Sequence, residues 1–101
     1  MFVHAVYFWL RDDLTAAERQ TYLEGVRSLT TIPDVRHGWV GTPAATDRPV
    51  IERGYSYALT VAFADEAAHD RYQVHPVHDR FRDTCGTFWS RVVIYDSVTE
   101  G

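Results

Sequence analysis

The chain has a single cysteine, Cys85, so no disulfide bond can form within it. No histidine or aspartate lies directly beside that cysteine, and we expect a buried or half-buried thiol rather than a nucleophile. Basic residues are also few. The sequence has 10 Lys+Arg against 14 Asp+Glu, a net charge of −4, and no basic cluster. Nucleic acids are therefore poor candidate partners.

Long apolar runs are missing as well. The N-terminal apolar run, residues 1–10, is far shorter than a membrane span and lacks the basic leader and the small-residue cleavage site of a signal peptide. This run is typical of a β-strand. We therefore expect no membrane partner and a soluble protein in a reducing compartment, most simply the cytoplasm.

Aromatic residues, by contrast, are abundant at 14% of the sequence. They concentrate in runs such as Tyr7-Phe8-Trp9 and Phe88-Trp89, which suits a pocket or a subunit interface. With 101 residues the chain is large enough for only one core, so we predict a single domain over residues 1–101.

Residue spacing predicts three elements and a loop in the first part of the chain. Residues 2–10 form a strand that is largely apolar on both faces. Thr15 and Glu18 fit a capping box that begins a helix, which must end before Pro33. Residues 35–41 are predicted as a short strand and residues 42–54 as a loop. The apolar stripe of the helix consists of Tyr22, Leu23, Val26 and Leu29.

The remaining sequence predicts a strand, an interrupted helix and a final strand. In residues 55–63 large and small side chains alternate, which places Tyr55 and its alternate neighbours on one face. Asp65 can cap a helix that runs through Gln73, and Pro76 interrupts it. Helical spacing resumes over residues 77–89, and residues 91–98 close the chain as a strand.

The resulting β-α-β-β-α-β order predicts an α+β, ferredoxin-like fold with a four-stranded antiparallel sheet and both helices on one face. The opposite sheet face would remain uncovered and is too apolar to stay in water, so we expect a homodimer. The residues expected on that face are Val3, Ala5, Tyr7, Trp9, Val93 and Tyr95.

Several features resemble the stress-responsive A/B barrel domain family. They are His4 in the first strand, Pro33 before the second, Gly54-Tyr55 opening the third, the segment Tyr72-x-x-His75-Pro76-x-His78, and an aromatic-rich last strand. The likeness spans nearly the whole chain, and the His-Pro-x-His element is its most specific part. It implies a dimeric α+β barrel. The family includes plant polyketide cyclases of the olivetolic acid cyclase type, and Phe81 and Phe88-Trp89 are also similar to those enzymes.

The polar residues of this segment could take part in acid–base catalysis. Tyr72 and His75 lie one helical turn apart, and His78 follows in the first turn of the next helical piece. The positive end of that helix disfavours a protonated imidazole, so His78 should be neutral and able to act as a base. Tyr72 could polarise a carbonyl and His4 could orient a partner, which makes Tyr72, His78 and His4 the predicted catalytic residues.

An apolar wall around these groups would complete a ligand pocket between the sheet and the helices. The predicted ligand-binding residues are Val6, Phe8, Leu23, Val26, Leu59, Val61, Phe63, His75, Phe81 and Trp89.

Three functions remain open. The chain could bind a small apolar, phenolic or polyketide-like molecule without turnover. It could be a cofactor-free cyclase or lyase in which His78 removes a proton between two carbonyls and Tyr72 stabilises the enolate. A cofactor-independent monooxygenase is the third. The alternative to all three is a purely structural role. The imidazoles of His75 and His78 could form hydrogen bonds with backbone groups in a turn, and His4 could be a core histidine.

No metal or cofactor is expected. Pro76 restricts the geometry between His75 and His78, and no H-E-x-x-H motif or cysteine-rich partner completes a zinc site. Haem binding has no specific support in the sequence. The two remaining histidines, His37 and His69, are expected at the surface.

Overall fold

The computed structural model of the chain describes residues 1–100. Its elements are β1 (Phe2–Leu10), α1 (Ala16–Ser28), a 3₁₀ turn (Leu29–Thr31), β2 (His37–Gly41), β3 (Tyr57–Phe63), α2 (Glu66–Gln73), α3 (Pro76–Cys85) and β4 (Trp89–Val98). None of these helices is long and apolar enough to span a membrane.

The strands form one antiparallel sheet in the order β2-β3-β1-β4. This confirms the predicted α+β, ferredoxin-like fold. The central strand β1 pairs with both β3 and β4, and its register sets His4 opposite Asp96 of β4 and Val61 of β3. Because directly paired residues point to the same face of a sheet, His4 and Asp96 share the face that meets the helices.

The start of α1 follows the predicted capping box. The Thr15 hydroxyl accepts the Glu18 N–H at 3.1 Å, and the Glu18 carboxylate accepts the Thr15 N–H at 2.9 Å. Two amides that lack partners inside the helix are thereby satisfied, which sets where the helix begins.

The core lies between the helices and one sheet face. A Cβ built on Gly25 of α1 would lie 3.0 Å from both Cys85 Sγ and the Phe81 ring of α3, so glycine permits the close approach of the two helices. Cys85 is buried, as expected. The largest fully buried side chains are Tyr22, Val26, Leu29, Ile32, Leu59, Val61, Phe63, Tyr72 and Cys85.

The other sheet face carries no helix and is rich in aromatic residues. Tyr7 contacts Tyr55 and Tyr95 with ring centroids 5.0 and 6.3 Å apart, and the Arg91 guanidinium lies 4.4 Å above the Trp9 ring. On edge strand β2, Trp39 is 60% exposed. We call this surface, made of the outward residues of β1 to β4 and Tyr55, the open face.

Two predicted boundaries near the end of the chain were wrong. The second half of the interrupted helix does not reach Trp89 but ends at Cys85, where a Cβ on Gly86 would lie 2.5 Å from the Arg82 carbonyl oxygen. Trp89 instead begins β4 and pairs with Leu10. The local spacing of residues 77–89 could not reveal this long-range pairing.

Two strand starts also differ from the predictions. β3 begins at Tyr57 rather than Tyr55, and Ser56 before it makes hydrogen bonds to the end of β1 through both its N–H and its hydroxyl. Tyr55 consequently lies on the open face beside Tyr7, and not with the inward residues of β3. β2 begins at His37 rather than at residue 35.

Candidate functional site

A cavity of about 180 Å³ lies between the helix-side face of the sheet and the helices. Its lining residues come from β1, β3, β4, α2, α3 and the 3₁₀ turn, and most are apolar. They are His4, Val6, Phe8, Leu29, Leu59, Tyr72, Gln73, His78, Phe81, Arg82, Trp89, Val92 and Ile94.

The three predicted catalytic residues border this one cavity. The ring centroids of Tyr72 and His78 are 4.9 Å apart, and those of His4 and Tyr72 are 6.0 Å apart. His4 comes from β1, Tyr72 from α2 and His78 from α3, and the helix break at residues 74–75 separates α2 from α3. The structure therefore brings together side chains that the sequence could only place on different elements.

The helix break is a capping device centred on His75. Its Nδ1 atom accepts the Val77 N–H at 3.1 Å, and Pro76 occupies the first helical position, where no N–H is needed. The new helix places His78 in its first turn. His75 itself does not line the cavity.

His4 forms a hydrogen-bonded pair with Asp96. The distance from His4 Nδ1 to Asp96 Oδ1 is 2.5 Å, the imidazole is buried and the carboxylate is 40% exposed. Burial lowers the pKa of His4 below 6.5 even though Asp96 acts in the opposite direction. In the neutral ring, Nδ1–H donates to Asp96, so Nε2 carries a lone pair and can accept a proton.

Asp96 was not among the predicted site residues. Its one sequence signal is that a carboxylate interrupts the otherwise largely apolar last strand. That signal identifies no partner, because the pairing with His4 depends on the register between strands 92 residues apart.

His78 is neutral at physiological pH, as expected, but the leading cause is not the helix terminus. Burial first, and then the positive charge of Arg82, lower the pKa of His78 to about 4. Arg82 Nε–H donates to His78 Nδ1 at 3.3 Å, so the proton of the neutral ring resides on Nε2. His78 is therefore a hydrogen-bond donor at its free nitrogen.

Tyr72 is fully buried, and its hydroxyl has no hydrogen-bond partner among residues 1–100. Burial raises the pKa of Tyr72 well above 10, so the hydroxyl is protonated and can donate. Leaving such a group unpaired costs about 1–3 kcal/mol. Because Tyr72 borders the cavity, a ligand there is the candidate partner for its hydroxyl.

The cavity wall only partly matches the prediction. Five of the expected apolar residues line it, namely Val6, Phe8, Leu59, Phe81 and Trp89, and another five expected residues do not, namely Leu23, Val26, Val61, Phe63 and His75. Val26, Val61 and Phe63 are fully buried in the core, and Leu23 packs against it. Lining residues absent from the prediction are Leu29, Gln73, Arg82, Val92 and Ile94.

His69 was expected at the surface, and that expectation was wrong. Only 12% of its side chain is exposed, its ring stacks on Phe2 with centroids 4.4 Å apart, and its Nε2 lies 3.0 Å from Gln73 Nε2. His37, by contrast, is exposed as expected.

His4, His69 and Asp96 are also the residues best placed to hold a metal ion, with one ligand atom of each within 4.8 Å of the others. Two ligands on one zinc ion, with bonds of about 2.0–2.2 Å, lie about 3 Å or more apart. The 2.5 Å contact between His4 and Asp96 is shorter than that. It is the geometry of a hydrogen-bonded pair.

The fold and the cavity define a class: a ferredoxin-like α+β domain with a polar cluster between its sheet and its helices. The family model of the Stress Responsive A/B Barrel Domain matches residues 2–99, and the chain belongs to that family. Among individual proteins, olivetolic acid cyclase of Cannabis sativa is 24% identical over 94 residues, which are 92% of this chain and 91% of the enzyme.

Solved structures show the same fold. A protein of this family from Mesorhizobium loti has a TM-score of 0.78 at 28% identity, with 99% of this chain and 97% of that chain covered. Hydroxynitrile lyase from Passiflora edulis has a TM-score of 0.79 at 17% identity, with 98% and 93% covered. A protein of unknown function from Thermobifida fusca, described as dimeric, has a TM-score of 0.77 at 18% identity, with 97% and 90% covered.

Proposed function

We propose that the chain binds a compact apolar carbonyl compound in this cavity and catalyses proton transfer on it without a cofactor, in a reaction of the cyclase or lyase type. The main observation behind the proposal is that Tyr72, whose buried hydroxyl has no partner among residues 1–100, borders a cavity shared with His4 and His78. One acceptor and two donors are thus available to a single bound molecule.

In the proposed step, His4 Nε2 removes a proton from the carbon next to a carbonyl group. Asp96 stabilises the imidazolium that forms, because its carboxylate accepts the Nδ1–H bond. Tyr72 and His78 donate hydrogen bonds to the carbonyl oxygen as it gains negative charge. In a cyclisation, the enolate carbon then bonds to a second carbonyl carbon of the same molecule, and the resulting alkoxide takes the proton from His4.

This division of roles differs from the hypothesis based on sequence, in which His78 is the base. The Arg82 hydrogen bond to His78 Nδ1 leaves a proton on the other nitrogen, whereas Asp96 leaves His4 Nε2 unprotonated. Of the two imidazoles, His4 has the better geometry for accepting a proton.

The size of the cavity limits the ligand. An apolar cavity of about 150 Å³ is large enough to hold benzene, and the cavity here measures about 180 Å³. We therefore expect a molecule of about one ring or a short folded chain. The names cyclase and lyase among the similar proteins support the proposed reaction class. Ligand binding without turnover is the second candidate.

The test is conversion of a linear tetraketide, supplied both as the thioester and as the free acid, followed by product chromatography. His4→Gln and Tyr72→Phe should each reduce the rate by about 10²–10⁴-fold, which is the usual contribution of one acid or base. Tyr22→Phe is the matched control, because it removes another buried hydroxyl without a partner among residues 1–100, and Tyr22 does not line the cavity. That variant should keep the wild-type rate.

Equal rates in the wild type and His4→Gln would contradict the proposed base. If the wild-type protein binds small apolar carbonyl compounds but converts none, binding without turnover replaces catalysis as the function.

We also propose that the chain is a homodimer joined through the open face. Exposed aromatic and aliphatic side chains on one sheet surface favour burial against a second copy. The description of a structural neighbour as dimeric supports this assembly.

A further inference from the structure

Arg82 of α3 lies at the edge of the cavity, where two hydrogen bonds hold its side chain. Nη2 donates to the Gln73 carbonyl oxygen at 2.9 Å, and Nε donates to His78 Nδ1 at 3.3 Å. The guanidinium therefore bridges the end of α2 and the first turn of α3, beside the proposed catalytic group His78.

The charge of this guanidinium is unpaired. Within residues 1–100, Arg11, Arg53 and Arg71 each form an ion pair with an aspartate, whereas no carboxylate lies within 4.0 Å of the Arg82 nitrogens. Nη1 of Arg82 also has no hydrogen-bond partner in that range. Other arginines of the described residues also lack an ion pair, but Arg82 is the arginine that lines the cavity.

The rest of the cavity carries no formal charge at neutral pH. Arg82 is the one residue of permanent charge among the described residues that line it. Behind the lining, the Asp96 carboxylate is hydrogen-bonded to His4. An anionic ligand is thus repelled from the His4 side and attracted to the Arg82 side, which defines an orientation.

We propose that Arg82 binds the carboxylate of the ligand, so that the molecules recognised are compact apolar carboxylic acids of about one ring. This inference rests on the proposed function, because it requires that the cavity bind a ligand. The planar guanidinium matches a carboxylate with two parallel hydrogen bonds. The apolar body then extends past Phe81 and Trp89, with its reactive carbon toward His4.

The experiment compares phenylacetate with its neutral counterpart phenylethanol by isothermal titration calorimetry at pH 7. The wild-type protein should bind phenylacetate about five- to tenfold more tightly, since charged hydrogen bonds at a partly exposed site are of moderate strength. In Arg82→Gln this preference, measured as the ratio of the two affinities, should vanish. The matched control is Arg80→Gln, an exposed arginine of the same helix that does not line this cavity.

A preference for phenylacetate that survives in Arg82→Gln, or that is lost equally in Arg80→Gln, overturns the inference. Equal wild-type affinity for both probes also overturns it while leaving ligand binding in the cavity intact. If neither probe binds to the wild-type protein, the proposed function fails and this inference fails with it. Because each variant is judged by the ratio of its two affinities, a change that weakens both probes equally does not count in favour of the inference.

Discussion

Two tyrosine hydroxyls, those of Tyr22 and Tyr72, are buried without a partner among residues 1–100, and their surroundings differ. Tyr22 packs among Phe8, Tyr57 and Phe81 and does not line the ligand cavity. Tyr72 borders the cavity. In the proposed function its hydroxyl gains an acceptor from the bound ligand, whereas the Tyr22 hydroxyl has no such prospect.

Tyr22→Phe should increase the free energy of unfolding by about 1 kcal/mol, because it removes an unsatisfied buried hydroxyl and keeps the ring. Tyr72→Phe should increase it by a similar amount, because its hydroxyl is equally buried. Urea denaturation of both variants and the wild type measures this. A clear loss of stability in Tyr22→Phe would show that its hydroxyl has an acceptor.

The pH dependence of stability should reflect His78. Its pKa is about 4 in the folded chain and 6.5 in the unfolded chain, so the unfolded state binds the proton first as the pH falls. The contribution of His78 to the free energy of unfolding is therefore fully present above about pH 6.5 and is lost as the pH falls from about 6.5 to 4. Arg82 and His4 favour the neutral form of His78 and Asp79 opposes it. His4, whose pKa is also lowered, contributes in the same direction.

Thermal melts of the wild type and His78→Gln across this range measure the effect. The midpoint of the variant should fall less steeply with decreasing pH, because one histidine that must stay neutral has been removed. Parallel curves for the two proteins would show that His78 titrates normally.

At the scale of elements, the junction of α2 and α3 depends on His75. The histidine acts as an N-cap by accepting the Val77 N–H, and it precedes Pro76 at the first helical position. This role accounts for its position without any contact with a ligand.

His75→Ala should reduce the free energy of unfolding by about 1 kcal/mol, the typical loss for an N-cap side chain, and His75→Ser should recover most of it. Chemical denaturation measures both values. Ligand affinity per folded molecule should remain at the wild-type level in both variants. A large loss of affinity in His75→Ser would instead support the original prediction that His75 contacts the ligand.

Element prediction succeeded where local contacts determine the boundary. The capping box of Thr15 and Glu18 and the break at Pro76 involve residues within three positions of each other. The predicted end of α3 and the predicted start of β3 were wrong, and distant partners contact the chain at both places. Trp89 pairs with Leu10, and Ser56 bonds the end of β1.

At the scale of the whole molecule, the open face should form the dimer interface. Native mass spectrometry should detect a homodimer of the wild type at micromolar concentration. Val93→Asp places a charge on that face and should shift the population to monomer, because an unpaired buried charge is strongly unfavourable. Ala67→Asp, at an exposed position of α2, should remain dimeric. A wild-type monomer would contradict the proposed assembly.

The sequence by itself determined the order of the elements, the α1 cap, the helix break, and which side chains of β1 face the helices. All of these follow from alternation and from contacts within a few residues. Only the tertiary structure decided that Asp96 orients His4, that Arg82 sets the proton on His78, and which apolar residues line the cavity rather than fill the core. The physical reason is that these contacts depend on strand register and helix packing, which join residues far apart in the chain.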